Sequence, residues 1–63
     1  MTIRLYGEQT IERGKVLYGH LTQAVDVCRD LQDFLDGTPP GDELYRVLVH
    51  IRHCREIMEE LLA

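Results

Sequence analysis

The chain has no serine and two cysteines among its 63 residues. A serine nucleophile is therefore excluded. The threonines Thr2, Thr10, Thr22 and Thr38 have no histidine placed to activate them. Gly7, Gly14 and Gly19 are dispersed and follow no strand, so no glycine-rich phosphate loop is present. The longest aliphatic run, Val47-Leu48-Val49, falls far short of the roughly 20 residues of a membrane span. The opening MTIRLYGEQT lacks the apolar centre of a signal peptide. A net charge of −4 weighs against indiscriminate binding to nucleic acid or anionic membrane. A chain this short has little room for a water-excluding pocket. These absences lead to the expectation of a cytoplasmic protein that is not an enzyme and needs no cofactor.

What the sequence does contain is two apolar ladders. Leu17, Leu21, Ala24, Cys28, Leu31 and Leu35 are spaced 4, 3, 4, 3, 4. Leu44, Val47, Ile51, Cys54, Met58 and Leu61 are spaced 3, 4, 3, 4, 3. Both keep the seven-residue repeat of a packed helix seam. Between them lies Gly37-Thr38-Pro39-Pro40-Gly41-Asp42. Gly37 suits the left-handed residue that closes a helix. Thr38 before Pro39 suits an N-cap followed by proline at the first helical position, with Asp42 the other candidate cap. The spacing predicts an all-α single domain over 1–63. It comprises an extended arm at 1–7, a helix at about 8–36, a turn at 37–41 and a second helix at about 39–62. A connection this short makes the helices antiparallel neighbours, a helical hairpin.

The ladders are the middle of wider stripes. Val27 and Phe34 flank the first on one side, Tyr18 and Val25 on the other. Leu48, Ile57 and Leu62 widen the second. One neighbouring helix covers one stripe, and the remainder is more apolar surface than a soluble monomer tolerates. Two hairpins packed into a four-helix bundle resolve this, with a homodimer as the simplest closure and a hetero-partner as the alternative. In this register Cys28 lies across from about Ile51 and Cys54 from about Ala24. That offset disfavours a disulfide, and both thiols are expected to be buried and reduced. Gly14 continues the first ladder backwards, where it either permits close backbone approach or frays the helix.

Three clusters carry candidate functions. Asp26, Asp30 and Asp33 form an acidic stripe, and with Tyr45 and Val49 they are the candidate contacts for a protein partner. Arg46, Arg52 and Arg55 concentrate positive charge on the second helix and are the candidates for structured RNA. His50, His53 and Cys54 bring zinc-type ligands together, too few for a closed site unless a dimer axis doubles them. Ordinary readings stand beside each: a solvated acidic face, weak surface ion pairs, and boundary histidines beside a buried thiol.

A hairpin of this length with small seam residues resembles the Rop proteins, plasmid-encoded RNA-binding regulators. The run Asp42-Glu43-Leu44-Tyr45-Arg46 is similar to a segment of their second helix. The resemblance implies a dimeric four-helix bundle with one RNA-binding face. The first helix here offers Arg13, Lys15 and Tyr18 and then turns acidic. The leading reading is a small regulatory or protein-interaction accessory, with a bacterial or phage origin as the resemblance implies. An RNA regulator and a metal-linked dimer are the alternatives.

Overall fold

A computed structural model describes all 63 residues. A 3₁₀ turn at Arg4–Tyr6 precedes α1 (Glu8–Phe34) and α2 (Pro39–Leu62). There is no strand, and the two helices form a hairpin 46 Å long. No helix is long and apolar enough to cross a membrane.

The turn follows from its side chains. Gly37 takes φ +77°, a left-handed conformation that glycine adopts without steric cost. The Thr38 hydroxyl accepts from the Gly41 amide and donates to the Leu35 carbonyl, so it joins the end of α1 to the start of α2. Pro39 and Pro40 occupy the first two positions of α2, where no intrahelical amide bond is required. Gly41 is buried against Leu35, and a Cβ there would collide with the Leu35 carbonyl. Thr38, not Asp42, is the cap. The first helix ends at Phe34, two residues before the expected boundary, because Leu35 and Asp36 already bond back in tighter turns.

Residues 1–7 are not an extended arm. They fold into the 3₁₀ turn and close the far end of α2. The Ile3 amide and the Thr2 hydroxyl both donate to the Leu61 carbonyl, at 2.7 and 3.1 Å, and Arg4 Nε donates to Leu62 at 2.6 Å. These carbonyls belong to the last turn of α2, which has no partners within the helix. Ile3 then packs over Gly14, where an added Cβ would meet Ile3 Cδ1 at 2.7 Å and Leu62 Cδ2 at 3.1 Å. Gly14 therefore serves close approach.

The seam between the helices departs from the predicted ladders. Leu21 and Cys28 of α1 with the cap residue Leu35, and Leu44, Ile51 and Met58 of α2, are buried or half-buried. Of their alternates, Leu17, Leu31, Val47 and Cys54 are exposed, and Ala24 and Leu61 are half-buried. The seam is completed by Ile11, Tyr18, Val25 and Gln32 on α1, and by Leu48, Arg55 and Leu62 on α2. A two-helix contact covers one stripe, so each wide stripe splits. The Val25 and Leu48 side goes in, and the Val27, Phe34 and Ile57 side stays out. Cys54, expected to be buried, is exposed for this reason, while Cys28 is buried with its thiol 3.7 Å from the Leu44 carbonyl. The helices also pair in a shorter register than expected. The Cys28 thiol reaches the Leu44 carbonyl, Leu44 and Ile51 both pack against the core that holds Cys28, and Glu59 faces Tyr18 rather than His20. The buried hydrophobic core is Val25, Cys28 and Leu48.

Candidate functional site

The candidate site is the face that the hairpin leaves uncovered. Helical spacing places Leu17, Ala24, Val27, Leu31 and Phe34 of α1 along one side. Val47, Cys54, Ile57 and Leu61 of α2 lie along the same side. Phe34 is 87% exposed and Val27 58%. Leu17, Leu31, Val47 and Ile57 are also exposed. Near the turn the two helices diverge into a groove of about 610 Å³. Leu31, Leu35, Pro40, Leu44 and Val47 make it apolar, and Glu43, Arg46 and His50 stand at its polar edge.

The opposite side is polar. Tyr18 Oη donates to Glu59 Oε1 at 2.7 Å, and this bond, followed by partial desolvation and the carboxylate charge, raises the phenol above its ordinary pKa. Arg55 lies half-buried in the seam nearby, and its Nε has no hydrogen-bond partner. Its positive charge acts on Tyr18 in the opposite direction, lowering the phenol.

Asp26, Asp30 and Asp33 are exposed along the outside of α1. Tyr45 and Val49 are exposed along the outside of α2. Helical geometry turns both sets away from one another, with Asp30 nearest the edge of the apolar face. Arg46, Arg52 and Arg55 also diverge. Arg46 is exposed and pairs with Glu43 at 3.2 Å, Arg52 is half-exposed, and Arg55 has its stem in the seam. His50 lines the groove, His53 lies 3.9 Å from Glu56, and Cys54 sits one turn beyond His50. No three His, Cys, Asp or Glu side chains converge in a way that could hold a metal ion.

Comparison with family models, with curated proteins and with solved structures finds no match to this chain. The function must be read from the surface itself. Leu31 and Val47 carry the groove, and the heptad pattern already contained both as ladder residues. What the pattern lacked was the rotation of each helix about its axis, which decides which ladder members remain outside.

Proposed function

We propose that this chain is a non-catalytic interaction module that works as a homodimer, two hairpins joined through their open apolar faces into a four-helix bundle. The observation that carries this is the mismatch between core and surface. Three hydrophobic residues are buried, whereas Leu17, Val27, Leu31, Phe34, Val47 and Ile57 on the open face are exposed. The accessible surface is 4982 Å² for a 7.3 kDa chain. Scaling for globular monomers of that mass gives about 4,200 Å². The excess of roughly 800 Å² matches what each partner contributes to an interface of standard size.

The biological role that fits is that of a small regulatory accessory whose assembled bundle presents its outer surfaces to a further protein. Tyr45, Val49, Asp26 and Asp33 lie on those outer surfaces, Asp30 lies where they meet the rim of the open face, and these five are its proposed contacts. A Rop-type RNA role finds less support, because Arg46, Arg52 and Arg55 point in different directions.

Val47→Glu tests the reading. Val47 is 46% exposed, and in an isolated hairpin such a substitution changes stability by about 0.5 kcal/mol or less. In the bundle it places a charge inside an apolar interface. The expected result is a loss of self-association and a melting temperature that falls by many degrees. A variant that melts like the original at every concentration contradicts the reading.

A further inference from the structure

We propose that the two copies associate with their inter-helix turns at the same end, and that Phe34 of each copy fills the groove of the other. This rests on the self-association proposed above and adds the orientation and the anchor.

The argument begins with rim charge. Asp30 borders the open face on the α1 side, Arg13 continues the row of Val27 and Phe34 towards the far end, and Arg46 and Glu60 border the face on the α2 side. When the turns are at the same end, α1 of one copy lies beside α2 of the second at the level where it meets its own α2. The Cys28 thiol at the Leu44 carbonyl and Tyr18 beside Glu59 bracket that level. Asp30 then comes within about a turn of Arg46 of the second copy, and Arg13 within about a turn of Glu60. With the turns at opposite ends, Asp30 meets Arg13 of the second copy and Arg46 meets Glu60. These pairs bring opposite charges together in either orientation, with Arg46 shared with Glu43 of its own chain at 3.2 Å, so they suit a second copy of this chain and leave the orientation open.

Phe34 decides the orientation. It projects from the last turn of α1 with 87% of its surface exposed. With the turns together, its neighbours are Pro40 and Val47 of the second copy, at the mouth of the 610 Å³ groove. A ring seated there removes about 150–250 Å² of aromatic surface from water. With the turns apart, Phe34 instead meets the level of Thr10 and Arg13, and the groove faces a polar helix end. The first orientation buries the most exposed aromatic of the chain in its most apolar groove.

The test is a distance between spin labels. Asp36→Cys puts an exposed label site beside the turn, Cys54→Ala removes the exposed native thiol and keeps the open face apolar, and Cys54→Ala alone reports any labelling of the buried Cys28. Turns at the same end are expected to give an inter-label distance within about 30 Å, because neighbouring helices lie about 8–10 Å apart. Turns at opposite ends give about 40 Å, at 1.5 Å per residue along the helix. A long distance overturns the orientation while leaving self-association standing. The absence of any dipolar coupling at high concentration overturns self-association itself. Phe34→Ala is the companion variant, since an exposed side chain is not needed for the hairpin to fold. It is expected to weaken dimerisation at least about tenfold, as an interface anchor does. An unchanged dissociation constant overturns the anchor.

Discussion

Tyr18 and Glu59 tie the two helices together across 41 residues of sequence by one hydrogen bond from a phenol to a carboxylate. The neutral phenol is the donor, so folding favours its protonated form and raises its pKa above the ordinary value near 10. The sign of the linkage follows. The bond contributes in full below the unfolded value and is lost as pH rises through the folded one. Ultraviolet titration of the protein against its Tyr18→Phe variant isolates this phenol. Glu59→Ala is expected to bring its titration down towards the ordinary range. An unchanged titration would mean that the bond does not form in solution. A sequence pattern had no access to this pair, because it depends on a two-residue shift in the register between helices. Cys54 was misplaced for a related reason. Its spacing put it on a ladder, yet the rotation of α2 put that row outside.

The helices and their connection are the part most openly written in the sequence. Gly37, Thr38 and the two prolines specify a stop and a start by local chemistry alone, and those signals do not depend on packing. The N-terminal segment is the converse case. Ile3 and Leu5 alternate with Thr2, Arg4 and Tyr6, a pattern that reads as an extended arm, whereas the segment's conformation is set by the bare carbonyls at the end of α2, which lie 58 or 59 residues away in sequence. Two glycines inside the helices separate these influences. Gly19 has nothing within 4 Å of an added Cβ, so Gly19→Ala is expected to stabilise the fold by up to about 1 kcal/mol through helix propensity. Gly41→Ala is expected to do the reverse, costing about 1–3 kcal/mol, because backbone rather than a movable side chain stands in the way. Denaturant melts at one fixed protein concentration check both. Equal effects at the two sites would show that the turn is not as closely packed as described.

The whole hairpin is narrow, 46 × 17 × 12 Å, and two helices side by side enclose little. The width of the apolar stripes made this legible in advance: more greasy surface was present than one neighbour hides. Which half stays outside was not legible. That depends on how the helices rotate to bring Gly14, Cys28 and Gly41 into close approach, and such rotation emerges from packing of the pair rather than from either helix alone. On the proposed self-association, stability is expected to depend on concentration, since association would shield the face left open. Sedimentation equilibrium from low to high micromolar concentration addresses this most directly. The account expects a species of twice the 7.3 kDa chain mass, with dissociation on dilution accompanied by loss of helix. A single well-folded 7.3 kDa species persisting at several hundred micromolar would contradict it.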